Sequence, residues 1–206
     1  MYTFPFHTCE LVQPGIAQPY SALLNLINSL MIFSFLIRTT HFSSFLVLFS
    51  ILCFEVFHMF SHAVHIPGSI QTTVIHGLAY FVNASLFFFF YQFSKHGPSL
   101  GFLLFCSILL VGDVYAFFHM NLIYYFMSQI VLFLSILFYY YPLLTPSMKQ
   151  NIRMIFLLSI VILLLFFNEK YNCHAMLSAY SFPYHSFIEI VGIGLFYTVC
   201  RTFYKN

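Results

Sequence analysis

The chain has 206 residues, of which 61% are hydrophobic and only 6% charged, with a net charge of +2. Seven Lys or Arg and five Asp or Glu cannot cover the surface of a soluble domain this long, so the composition excludes one and indicates an integral membrane protein. So small a charge also excludes nucleic acid as a partner.

The first ten residues, Met1 to Glu10, lack the basic stretch of a secretory signal, and the segment is expected to be retained. Residues 1–19 form an extramembrane N-terminal segment. Seven apolar runs follow, each of roughly the length a bilayer core requires. They are Tyr20–Ile37, Ser43–His65, Ile70–Phe93, Leu100–Phe118, Leu122–Leu144, Ile152–Phe167 and Tyr184–Phe203. Punctuation separates them: Pro67-Gly68, Gly97-Pro98, Thr145-Pro146 and the polar run Asn168 to Asn172. The predicted fold is therefore all-α, a single domain over 1–206 built as a bundle of seven transmembrane helices. Arg38, Lys95, Lys149, Arg153, Arg201 and Lys205 fall on one side of that arrangement and only Lys170 on the other. This bias predicts a cytoplasmic C-terminus and an N-terminus outside or in a lumen.

The second run is the unusual one. Glu55, His58, Ser61, His62 and His65 fall in one stripe about 120° wide on a helix. Such a stripe does not face lipid cheaply and needs a partner, a water-filled cavity or a metal. The topology brings other polar residues to the same depth: His76 early in the third helix, Asp113 and His119 late in the fourth, and His185 and Glu189 at the start of the seventh. His185 and Glu189, four apart, share one helix face. With His65 they make a two-imidazole, one-carboxylate zinc set that leaves a position open for water. Ser61, one turn before His65, can donate to a developing oxyanion. His76 can accept a proton or orient the water. His58 and His62 are read as supporting groups, with His62 able to replace His65 as ligand. Asp113 is a further supporting candidate. Plainer alternatives stand beside these: a membrane histidine bonded to a carbonyl, a serine bonded to its own helix, and a carboxylate at a helix start complementing the dipole.

Four stretches then resemble one family. Cys9-Glu10, Ile16 to Leu26 with Asn25, Ser61-His62-Ala63-Val64-His65, and Cys173 followed by Phe182 to Glu189 resemble, in order, the motifs of the alkaline ceramidase-like branch of the seven-helix membrane hydrolases. The resemblance spans nearly the whole chain. It implies a zinc-dependent amidohydrolase that cuts ceramide to a sphingoid base and a fatty acid. It assigns His65 and His185 to the metal and Ser61 to the catalytic site, keeps Glu10 and Asn25 as structural motif residues, and implies a disulfide between Cys9 and Cys173. Where the family has a second helix-seven His, this chain has Glu189, and where the family has an Asp, it has His76. The expected partners are the bilayer and a ceramide-like lipid, with no protein partner predicted. Lipid ester cleavage and a non-catalytic, receptor-like lipid binder are the alternatives.

Overall fold

The computed structural model describes residues 9–64, 66, 68–92, 97–119, 122–180 and 183–204, with all their side chains except those of 72, 117, 122–127, 170, 179 and 180. Among the described residues there are seven α-helices: α1 (Pro19–Leu36), α2 (Phe42–Ala63), α3 (Gly68–Tyr91), α4 (Leu100–Phe118), α5 (Leu122–Tyr140), α6 (Pro146–Tyr180) and α7 (His185–Phe203). A short 3-10 turn, Tyr141–Leu143, ends α5 at Pro142. Five of the helices, α1, α2, α3, α6 and α7, are long and apolar enough to cross a membrane. The chain is thus a multi-pass membrane protein by length and composition.

Burial supports the same conclusion, because it runs opposite to that of a water-soluble bundle. The inner face of α1 carries Ser21, Ala22, Asn25, Asn28 and Ser29. Its outer face presents Leu23, Leu26, Ile27, Leu30 and Phe33. Helix α6 exposes Leu157, Ile160, Leu163, Leu164 and Phe167, with Leu164 63% exposed. A continuous apolar stripe of that kind is costly in water and favourable in hydrocarbon.

Helix α1 packs on α2 and α7, α2 on α3, α3 on α5, α5 on α4, and α6 on α7, while α7 also touches α2. The two ends of the bundle differ in chemistry. At one end, Ile32, Val47, Leu48, Leu86, Phe89, Phe90, Ile136, Ile152 and Phe203 form a closed apolar core. Phe90 stacks on Tyr140, and Phe89 meets Phe203 edge-on. The buried histidines and carboxylates lie toward the other end, where α2 finishes and α7 begins.

The N-terminal segment is fastened to that polar end. Gly15, at φ +91°, takes a backbone conformation in which a Cβ would be strained. The amides of Ala17 and Gln18 then donate to the carbonyls of Ala63 and His62, at 3.0 and 2.9 Å. These carbonyls close α2 and have no acceptor role within it. Glu10 accepts from the amides of Tyr20 and Ser21 and from the Ser21 hydroxyl, so a carboxylate caps the start of α1. Asn25 donates to the Ser21 carbonyl of the same helix. Cys9 and Cys173 form the disulfide that the resemblance implied, with Cα atoms 5.4 Å apart.

Two expected boundaries move. Helix α2 stops at Ala63, and Val64 is already extended. The polar run Asn168 to Asn172, read as a break, is helical, and α6 continues to Tyr180. Its residues are good helix formers apart from the asparagines, and polarity alone does not end a helix. What changes there is the environment, from an apolar flank to a polar one.

Candidate metal centre

Four side chains converge between α2 and α7. Each helix contributes a pair four residues apart, which places both members on one face. These are His58 and His62 on α2, and His185 and Glu189 on α7. Oε1 of Glu189 lies 3.1 Å from Nε2 of His185, 3.4 Å from Nε2 of His62 and 3.9 Å from Nε2 of His58. The Nε2 atoms of His58 and His62 are 3.1 Å apart. His58, His62 and Glu189 alone already bring three ligand atoms within 4.8 Å of one another.

The outer nitrogens determine what the inner ones can do. Nδ1 of His62 donates to Oε1 of Gln18 at 2.6 Å. Nδ1 of His185 donates to Glu169, 2.9 and 3.0 Å from its two oxygens. With the proton held on Nδ1, each neutral imidazole presents a lone pair on Nε2 to the shared centre. Lone pairs and a carboxylate brought this close repel unless a proton or a cation lies between them. Donor bonds of about 2.0–2.1 Å in a tetrahedron set its edges at about 3.3–3.4 Å. The separations among His58, His62 and Glu189 bracket that value, so these three residues fit a first-row divalent ion.

Burial makes the site one-sided. His62, His185, Glu189, Gln18 and Glu169 are all buried, whereas the His58 side chain keeps 21% of its surface. The centre therefore opens past His58.

Of the residues singled out by sequence, Glu189 belongs to the three-residue cluster, and His185 adjoins it through its contact with Glu189. On α2 the structure brings in His62 and His58; His65 lies outside the described residues. The pair keeps the four-residue spacing of Ser61 and His65, three positions earlier. Ser61 is buried, and its hydroxyl donates to the Phe57 carbonyl at 3.0 Å, the intrahelical bond of a membrane serine. His76 is buried on α3 and is not among the four convergent side chains. Asp113 is part of a different network. It accepts from Gln129 of α5, which accepts in turn from Asn83 of α3, so Asp113 ties α4 to its neighbours and does not support the centre. Glu55, also on the α2 stripe, accepts from Asn28 of α1 at 2.7 Å.

Two members were not singled out by sequence. Gln18 stands just before Pro19, the first residue of α1, and Glu169 falls in what reads as a loop. A buried carboxylate is unusual enough to be a signal once the end of α6 is known. Glu169 also accepts from the Cys9 amide, so one carboxylate joins the disulfide-bonded segment to His185. Replacing Glu169 by Gln keeps the shape but weakens its hold on the imidazole proton. The expected result is a 10- to 100-fold loss of metal affinity with the fold retained, measured by competition with a chromogenic chelator.

No protein-family model matches this chain, and no curated protein or solved structure matches it significantly. What is established is an all-helical, multi-pass membrane chain whose α2 and α7 together can hold a metal ion.

Proposed function

We propose that the chain is a divergent ceramidase-like membrane hydrolase that uses a zinc ion to cleave a lipid amide. The observation that carries this proposal is the outward fixing of the His62 and His185 protons, which aims their inner nitrogens, with His58 and Glu189, at one point. The proposed topology has seven spans, with the centre beneath the non-cytosolic face.

When bound, zinc supplies a Lewis acid that polarises a carbonyl and lowers the pKa of water to about 7. The remaining tasks belong to the protein. His58, His62 and His185 would hold the ion. Gln18 and Glu169 fix the tautomer and orientation of two of these rings. Four protein donors would close a tetrahedron, and hydrolysis needs one position open. Glu189 is the donor suited to give way, because its carboxylate can instead take the proton of the attacking water and pass it to the leaving amine. The open side at His58 admits a substrate that enters sideways from the bilayer, as a two-chain lipid does.

The same four-donor set favours one rival, a closed site in a lipid-binding protein without turnover. Glu189→Gln separates the two. In the hydrolase, the variant keeps its zinc and loses turnover of labelled ceramide by 10²- to 10⁴-fold in proteoliposomes. Loss of the zinc together with Glu189, or no turnover of amide or ester lipids by zinc-loaded wild type, selects the closed site.

A further inference from the structure

The opposite end of the bundle holds a second polar feature that the metal centre does not use. A cavity of about 460 Å³ lies where α5 ends, α6 begins and α7 ends. Its lining includes Arg201, Tyr140, Thr145, Ser147, Gln150 and Asn151. One helix N-terminus and two C-termini meet there, so the helix dipoles supply no net attraction for an anion. The attraction comes from side chains. Arg201 lines the cavity and stacks over Tyr197, with its guanidinium 5.9 Å from the ring centre. Lys149 stands at the rim over Tyr141.

Among the described residues no carboxylate lines the cavity beside these cations. The chain has only five acidic residues, and each is committed elsewhere. Glu10 caps α1, Glu55 binds Asn28, Asp113 binds Gln129, and Glu169 and Glu189 belong to the metal centre. A second observation is independent of charge. Tyr140 is fully buried and lines the cavity, and its hydroxyl has no hydrogen-bond partner among the described residues. A buried hydroxyl left unsatisfied is costly unless a ligand completes it.

We infer that this cavity binds a phosphoryl oxyanion, with Arg201 as its charged anchor and the Tyr140 hydroxyl and one of the mutually bonded Thr145 and Ser147 hydroxyls as donors. Arginine's fork matches phosphate geometry, and the hydroxyls complete the remaining oxygens. The anion can come from the head group of an anionic phospholipid at the membrane surface or from free phosphate in the aqueous phase.

The test uses the full chain in nanodiscs of phosphatidylcholine, with or without phosphatidylglycerol, and inorganic phosphate added to the pure phosphatidylcholine sample. Lipid retention is read by native mass spectrometry and stability by thermal melting. Arg201→Gln is expected to weaken binding about tenfold or more, and Tyr140→Phe by a few-fold. Arg153→Gln removes an equal charge from an exposed position outside the cavity lining and serves as the control. Selective retention of phosphatidylglycerol that is lost in Arg201→Gln identifies a lipid head group. A rise in melting temperature with inorganic phosphate, absent in Arg201→Gln, identifies a free anion. Equal losses in Arg201→Gln and Arg153→Gln reveal a general surface-charge effect and overturn the inference. So does the absence of any response to either anion.

Discussion

His62→Ala is expected to leave the purified protein without stoichiometric metal. Its imidazole is the most enclosed of the three, fully buried and bonded through Nδ1 to Gln18. It lies within hydrogen-bond range of both His58 and Glu189, so its removal takes away the middle of the donor set. Removing one of four ligands forfeits a large part of a binding free energy that, for structural zinc, is about 10–16 kcal/mol. A loss of at least 10³-fold in affinity is therefore expected, with His185→Ala behaving alike. Elemental analysis after dialysis against a chelator measures it. His65→Ala is the informative companion, because the sequence motif places the ligand there. Four donors already converge without residue 65, so that variant is expected to keep its metal. Metal retained in His62→Ala and lost in His65→Ala would return the site to the sequence assignment.

Breaking the disulfide has the second largest expected effect, and it acts on stability. Cys9 and Cys173 are 164 positions apart, so the bond closes nearly the whole chain into one loop. For a loop that long in a free coil, the entropic gain approaches the top of the usual range. Here the apolar helices remain in the bilayer after unfolding, and the denatured chain is already confined. The expected cost of Cys9→Ser with Cys173→Ser is therefore about 2–3 kcal/mol. Melting in nanodiscs with and without reductant measures it. The bond also positions chemistry. Cys9 donates its amide to the Glu169 carboxylate that holds His185, and Glu10, the next residue, caps α1. Metal affinity is expected to fall in the same double variant, by less than in Glu169→Gln. Unchanged melting and unchanged affinity would show that the backbone contacts of residues 9–18 hold the segment without the bond.

The wild-type sequence therefore carries two kinds of information about the centre. The pair on α7 was legible, because His185 and Glu189 are four apart at the start of an apolar run, and no other carboxylate lies there. The stripe on α2 was legible as a stripe. The motif put His65 first, but helical spacing alone does not separate the three, because His58, His62 and His65 all satisfy it to within one turn. The choice depends on where α2 stops and how it is rotated against α7. The Ala17 and Gln18 amides, which donate to the Ala63 and His62 carbonyls, fasten that end of α2. Asp113 shows the same limit. Depth alone grouped it with the histidines, whereas helix neighbours gave it to Gln129.

By itself, then, the sequence determined that this chain belongs in a bilayer, since twelve charged residues in 206 permit nothing else, and that its candidate ligands gather on the second and last helices. Tertiary structure alone decided which imidazoles meet and which groups hold their outer protons. The reason is physical. Apolar periodicity reports the partition of each helix between lipid and interior, a property of one helix at a time. The meeting of His62 with Gln18, or of Glu169 with His185, depends on the relative rotation and length of helices far apart in the chain. Packing fixes these quantities, and no local pattern records them.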